Sequence, residues 1–446
     1  MNQTPPISRR ELTGSIFGAV AGVSFAQSAE AAPPATVNVF THDVKSYGAK
    51  GDEQTDDTKA FQAAMDAAHK SGGGIVFVPA GSYRLNGTLV IPRDVTLQGI
   101  FTAPPTVPWG STKGGSVLRA YAGKGQASGT PFIQLDYNAT LKGLAIFYPE
   151  QTDTDPPIKY PWTISSKLTG ADNCSIVDVL LVNPYQAVDF GGRHTGRHYI
   201  RNLNGQPLYR GLYIDHCLDV GRVENVHFWP FWSASGAAAA FTRKHGKAFV
   251  VGRTDWQHFN NCFCISYETG FQFIRCIGPH PAYQGGGNPM IFGGGADMCN
   301  RAVHVVELQG HSGARFTNSQ IYGDIIAEKT NHGPIHFSNC GIFGSVYGAN
   351  GVAAVKTESH GRLSFTDCHF QNIDPRNKQR TLIDAPSGRL QVRGCHFHDP
   401  IAPRDHIVLG KGIYSAVIAD NSVQGKFTIT DNTNGKAIVR DNLNGG

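Results

Sequence analysis

Charge is sparse in this 446-residue chain: only 16% of its residues are Asp, Glu, Lys or Arg, and the net charge is +5. That balance excludes a strongly basic nucleic-acid protein, and with 40% hydrophobic residues the chain can bury a large core, which excludes a disordered one. Past the N-terminus there is no long apolar run, so no membrane span is expected in the mature chain. Also missing are an EF-hand loop, a phosphate loop, a dinucleotide fingerprint and a Gly-x-Ser-x-Gly elbow. Amphipathic helical spacing occurs at one place, where Phe61, Ala64, Met65 and Ala68 fall on one face of a segment from Asp57 to His69. Thr55, Asp56 and Asp57 supply capping oxygens and negative charge at its start, and Gly72 to Gly74 end it.

What is abundant points to strands and turns. The chain holds 53 glycines, 25 phenylalanines and 15 tyrosines. In the C-terminal half one seven-residue unit recurs as Arg315–Ile321, His336–Ile342, Ser364–Phe370, Gln391–Phe397 and Val417–Val423. Its first apolar position falls at Phe316, Phe337, Phe365, Val392 and Ile418, in steps of 21, 28, 27 and 26 residues. Short strands repeating at that length mark a solenoid whose coils stack one on the next. The fourth residue of the unit is Asn, Asp or Gly, which tolerates a left-handed bend. Cys340, Cys368 and Cys395 share an inward position, so a ladder of buried thiols is expected rather than bridges.

Earlier coils follow the same scheme, with insertions near 102–109, 149–161, 233–247 and 279–297. Ser175–Val182, Arg222–Phe228 and Gln272–Cys276 read as rungs of one column. Ala187–Phe190, Gly211–Asp215, Phe263–Ser266 and Ala302–Val305 read as rungs of its neighbour. Residues 1–31 are set apart: Ser8-Arg9-Arg10-Glu11-Leu12, a weakly apolar run and Ala29-Glu30-Ala31 look like a twin-arginine export signal, which places the rest in the periplasm or outside the cell.

Three stretches carry a family resemblance: Asp43-Val-Lys-Ser-Tyr-Gly-Ala-Lys-Gly-Asp52, Thr55-Asp-Asp-Thr58 and Gly73-Gly-Ile-Val-Phe-Val-Pro-Ala-Gly-Ser-Tyr83. There the chain resembles the pectate lyase superfamily, in particular the rhamnogalacturonase and polygalacturonase branch. The resemblance implies an all-β, single-stranded right-handed parallel β-helix, expected to have about ten coils over residues 32–446 behind an N-terminal capping helix. It does not carry a mechanism, because the Asn-Thr-Asp, Asp-Asp, Gly-His-Gly and Arg-Ile-Lys patterns of polygalacturonases are missing in the right order.

Alternation along the strands puts Asp189, Tyr213 and Asp215 outward; with Phe263 and Ile265 taken as inward, Cys264, Ser266 and Glu268 would also face out. Asp215, Asp189 and Glu268, with Asp255 and Glu224 in reserve, are the expected acid, base or nucleophile of a glycoside hydrolase. The run His227-Phe-Trp-Pro-Phe-Trp232 and Trp256 bring aromatic surface, so Trp229, Trp232, Trp256 and Tyr213 are the expected sugar platforms; the alternative is a loop covering apolar surface. Arg193, His194, Arg197, His198, Arg201 and Arg210 support a rival, a polysaccharide lyase in which cations hold an acidic sugar. A non-catalytic glycan-binding solenoid is the third reading. The expected partner is a polysaccharide or oligosaccharide and not a nucleic acid. No cofactor and no metal site are expected from the spacing, although calcium on scattered carboxylates stays open.

Overall fold

In the computed structural model, residues 42–104, 114–167, 169–277, 284–344, 353–372 and 380–445 are described. The proposed export signal, residues 105–109 and residues 279–283 lie outside them. Among the described residues nearly all regular structure is strand, and apart from one short antiparallel pair, Cys276–Ile277 with Gln284–Gly285, the strands pair in parallel with the equivalent strands of neighbouring coils. Each regular coil contributes to three sheets in turn. Sheet 1 contains Val95–Gln98, Arg222–Glu224, Ala314–Thr317, Ile335–Ser338 and Arg362–Thr366. Sheet 2 contains Ala145–Phe147, Phe263–Ile265, Gly295–Asp297 and Gln320–Tyr322. Sheet 3 contains Gln186–Phe190, Arg210–Ile214, Lys247–Val251, Thr269–Phe273 and Arg301–Val305.

The core is a set of inward rows running along the coil axis. One row of sheet 1 passes in register through Val76, Leu97, Leu141, Ile176, Ile200, Val223, Phe259, Ile291, Phe316, Phe337, Phe365, Val392 and Ile418. All thirteen are buried, so the helix has more coils than the ten expected. Rungs such as Thr140–Lys142 and Met290–Phe292 are only three residues long, too short for alternation to reveal them. The stacked Phe316, Phe337 and Phe365 rings, 4.8 and 5.0 Å apart, bear out the repeat. Cys340, Cys368 and Cys395 are buried, and all nine cysteines are thiols.

The corner between sheets 1 and 2 is a single left-handed residue in coil after coil: Asn318, Asn339, Asp367, Gly394 and Asp420 have φ of 53°, 51°, 52°, 64° and 62°. Asparagine side chains stack there, Asn339 Nδ2 donating to Asn318 Oδ1 at 2.7 Å and Asn261 Nδ2 to Asn225 Oδ1 at 3.1 Å.

The capping helix is Thr58–Lys70, with Phe61, Ala64, Met65 and Ala68 fully buried as its spacing requires. Its start is built differently from the expectation. Asp57 accepts instead from the Lys50 and Gly51 backbone N–H groups, and Asp56 takes the Thr58 N–H and hydroxyl. The segment 233–247 carries a second helix, Ala237–His245, and residues 290–297 include two rungs rather than loop.

Two column assignments are overturned. Sheet 3 continues from Arg210–Ile214 to Lys247–Val251 and then to Thr269–Phe273, so Gln272 belongs here and not beside Glu224. Phe263–Ile265 lies instead in sheet 2 with inverted parity: Cys264 is buried in register with Phe228 and Ala296, while Phe263 and Ile265 are half-buried on the outer side. A small apolar cysteine between two larger apolar residues fits a period of two in either phase, which is why the pattern misled.

Candidate active site

Sheet 3 positions the groups that combine charge with exposure. Two inward rows, Val188-Leu212-Phe249-Phe271-Val303 and Phe190-Ile214-Val251-Phe273-Val305, anchor it. Between them the outward row runs Ser165, Asp189, Tyr213, Val250, Gln272, His304. Upstream, Ala187, Gly211, Ala248, Gly270 and Ala302 are small because the chain is tight there: a Cβ on Gly211 would meet the Ala248 carbonyl oxygen at 2.3 Å. This kink turns the preceding residue outward as well, so that Arg210 and Lys247, in register on adjacent rungs, flank Tyr213. Arg210, Tyr213, Lys247, Val250, Gln272 and Ile274 line a hollow on this face. Among the described residues neither Arg210 nor Lys247 is in an ion pair; Arg210 rests on the Tyr209 ring, 5.0 Å from its centroid.

Asp189 and Tyr213 occupy neighbouring rungs of the outward row, roughly 5 Å apart by strand spacing. Burial raises the Asp189 carboxyl above its ordinary range, against the opposing pull of Arg193 and the Gly191 N–H. The Gly191 N–H donates to Oδ1 at 3.0 Å and Arg193 approaches Oδ2 at 3.5 Å. Arg193 is held by the Ser165 hydroxyl and Ser166 carbonyl, both at 2.8 Å. Tyr213 stacks on Trp162 with centroids 6.4 Å apart, and burial and the Asp215 charge push its phenol up.

Asp215 lies beside this pair but is not an outward, solvated carboxylate. It is 2% exposed, and its oxygens accept from the His216 and Arg253 backbone N–H groups, both at 2.7 Å, and from the Tyr213 hydroxyl at 3.0 Å. It packs on Gly252, where a Cβ would meet its carboxyl carbon at 2.5 Å.

The other expected residues are dispersed. Glu268 sits at the opposite border of sheet 3, about 20 Å from Asp215 along the strand direction, bound to Arg301 and Thr269. Glu224 belongs to sheet 1 and accepts from the Tyr199 hydroxyl at 2.9 Å. Asp255 makes a two-point pair with Arg253 at 2.7 and 3.1 Å; burial works to raise it, and hydrogen bonds from Arg253 and Gln309 prevail and hold it below the usual range. Trp229 and Trp232 pack on sheet 2 over Val117, Ala145, Leu180 and Val182, a different face from Asp189, so this aromatic run covers apolar surface. Trp256 is 60% exposed at the corner after sheet 3, next to Asp255. His194 pairs with Asp172 at 2.9 Å, and Arg197 bridges Asp172 and Asp219. His198 is buried. Of the basic cluster only Arg210 faces the hollow; Lys247, which sequence reasoning missed, joins it through a strand misread as loop.

Residues 41–175 match the family described as rhamnogalacturonase A/epimerase, pectate lyase-like. Alginate lyase 7 of Azotobacter vinelandii is 51% identical over 65 residues, which cover 13% of this chain and 8% of that protein. Mannuronan C5-epimerase AlgE1 of the same organism is 37% identical over 108 residues, covering 22% and 8%. The matches thus span less than a tenth of these relatives. The tailspike of Escherichia coli bacteriophage HK620 superposes with a TM-score of 0.55 over 90% of this chain and 78% of that one, at 10% identity. The structure of DFA-IIIase from Arthrobacter chlorophenolicus A6 without its lid gives 0.51 over 90% and 98%, at 12% identity. No helix among the described residues is long and apolar enough to cross a membrane. Stacked parallel sheets behind a capping helix make the described chain a parallel β-helix, and its residues 41–175 are similar to the rhamnogalacturonase A/epimerase, pectate lyase-like family.

Proposed function

We propose that the chain acts on a uronic-acid polysaccharide by removing the proton beside the sugar carboxylate. The observation that carries this reading is a pair of cations, Arg210 and Lys247, on adjacent rungs beside Asp189 and Tyr213 and in no ion pair among the described residues. Two cations roughly 5 Å apart suit a chain of carboxylated sugars. They also offset the negative charge that develops on the carboxylate as the C5 proton leaves. Asp189, raised by burial, is a stronger base once ionised than an exposed carboxylate and takes that proton. The C5–H electron pair becomes the C4–C5 double bond, the C4–O bond breaks, and the Tyr213 phenol protonates the leaving oxygen. Return of a proton to the opposite face of C5 without C–O cleavage would instead invert that carbon, as the names of the mannuronan epimerase relatives suggest.

Glycoside hydrolysis is the second reading, favoured by the raised Asp189 carboxyl, which suits a general acid. It needs an ionised partner open to the groove, and Asp215 already receives three donors. The test is incubation with uronans such as alginate and polygalacturonate, and with neutral glycans, in heavy water. An ultraviolet-absorbing unsaturated product or deuterium at C5, from uronans alone, is expected. Arg210→Ala and Lys247→Ala should each raise KM by about tenfold. New reducing ends with neither signal would overturn the proposal in favour of hydrolysis, and a chelator arm reads any calcium requirement. Export by the twin-arginine route, which rests on residues 1–31, is carried with this proposal; cell fractionation of an Arg9→Lys, Arg10→Lys variant tests it.

A further inference from the structure

At the downstream border of sheet 3, the structure points to a transition-metal site: we propose that Asp215, His216 and Cys276 together bind one divalent zinc-like ion. Asp215 and His216 are neighbours in sequence, and along a regular strand their side chains would point to opposite faces. His216 has φ of 55°, a left-handed conformation unfavourable for an L-residue, and the bend lets both side chains reach Cys276, sixty positions later. One ligand atom from each lies within 4.8 Å of the other two. All three residues are buried, with exposures of 2%, 6% and 5%.

The donor set selects the class of ion. A carboxylate oxygen, an imidazole nitrogen and a sulfur suit Zn²⁺ or Co²⁺, whereas Ca²⁺ and Mg²⁺ favour oxygen alone. Charge also balances, because ionised Asp215 and Cys276 together neutralise a divalent cation out of water. Cys276 Sγ and His216 Nε2 are 2.8 Å apart, close enough to share a proton. Tetrahedral ligation separates sulfur and nitrogen by about 3.5 Å, so loading opens this pair by roughly 0.7 Å and releases the thiol proton to solvent. Asp215 Oδ1 already receives two backbone N–H groups, leaving Oδ2, which faces the Tyr213 hydroxyl, as the ligand atom with spare capacity.

This assignment departs from the expectation of no metal site. Cys276 lies sixty positions from His216, so no local spacing marks the site, and only the fold brings the two segments together. Bound there, the ion would fix Asp215 and through it the Tyr213 phenol, making the three ligands positioning residues for that side chain. The inference is independent of which reaction sheet 3 performs, and its test reads metal rather than turnover. The full chain is stripped with chelator, reloaded with Zn²⁺ or Co²⁺ and passed through gel filtration. One equivalent of metal should remain, the cobalt form should show a thiolate-to-metal charge-transfer band, and either metal should raise the melting temperature. Cys276→Ser and His216→Gln should each cut retained metal at least tenfold, and Cys276→Ser should abolish the band. Retention below a tenth of an equivalent in the unaltered chain, or a cobalt spectrum without the thiolate band, would overturn the assignment. So would a band that persists in Cys276→Ser; if that variant does not fold, His216→Gln and the unaltered chain's cobalt spectrum decide.

Discussion

Phe365 sits mid-row in the coil stack, and its truncation to Ala is a direct measure of what that stack contributes. Its ring lies 5.0 Å from Phe337, nearly parallel to it, and 5.1 Å from Phe370 edge-on, with Val392 in register on the next rung. The side chain is fully buried, so the change forfeits the transfer free energy of the ring, about 2 kcal/mol. The hole left behind, on the order of 80 Å³, adds roughly 2 kcal/mol at about 24 cal/mol per Å³, because neighbours pinned by backbone ladders on both sides cannot collapse into it. The expected loss is therefore about 3–5 kcal/mol, read as a lower denaturation midpoint in guanidinium at unchanged slope. Phe292 provides the control: it is on sheet 1 too but 54% exposed, and its truncation should stay within about 1 kcal/mol. Equal losses at the two positions would refute the claim that stacking along the coil axis, rather than phenylalanine in a strand, holds the solenoid together.

Two further outcomes follow from the geometry. Trp232→Ala should lower the melting temperature and leave KM for glycan unchanged, since this indole covers sheet 2 and not the sheet 3 groove; a KM effect without destabilisation would reverse that assignment. Burial pushes the His198 imidazole down to about 4, against the hydrogen bond to the Thr195 carbonyl, so the ring is neutral in the fold. Unfolded histidine titrates near 6.5, so the stability this residue confers is complete above that pH and is lost as pH falls from about 6.5 to about 4. The loss amounts to roughly 3 kcal/mol, and His198→Gln should flatten that part of a stability-against-pH curve.

The fold is legible in the sequence because a solenoid writes its period into the chain: Phe316, Phe337, Phe365 and Val392 recur at coil length in the sequence and stand in register in the structure. The capping helix was equally plain, since four apolar residues at helical spacing have few other uses. The site was legible only in part. Asp189 and Tyr213 were identified by strand parity, and their rungs do align. Glu268 and Lys247 were misjudged because an insertion with its own helix separates two consecutive rungs of sheet 3, and no local pattern says which later strand resumes the column. The burial of Asp215 was invisible for a different reason: parity gives the direction of a side chain but not whether Gly252 and the Arg253 N–H close over it. The aromatic run ending at Trp232 lured attention toward sugar binding because composition alone cannot name the face on which a loop comes to rest.

The one-residue corner between sheets 1 and 2 governs where this protein is able to elaborate. From Gly143 onward that corner is a left-handed Asn, Asp, Gly or equivalent in every coil, with no slack for an extra residue. Each added segment in those coils, including 149–161 and the helix-bearing 233–247, must therefore enter at the other two corners, which are the two borders of sheet 3. The segments even brace one another across coils: Asp153 accepts from the Ser233 hydroxyl at 2.9 Å and the Ala238 N–H at 2.7 Å. A restriction on one edge of the prism thus raises banks along the opposite side, and the valley they enclose is a by-product of where the chain is forbidden to grow.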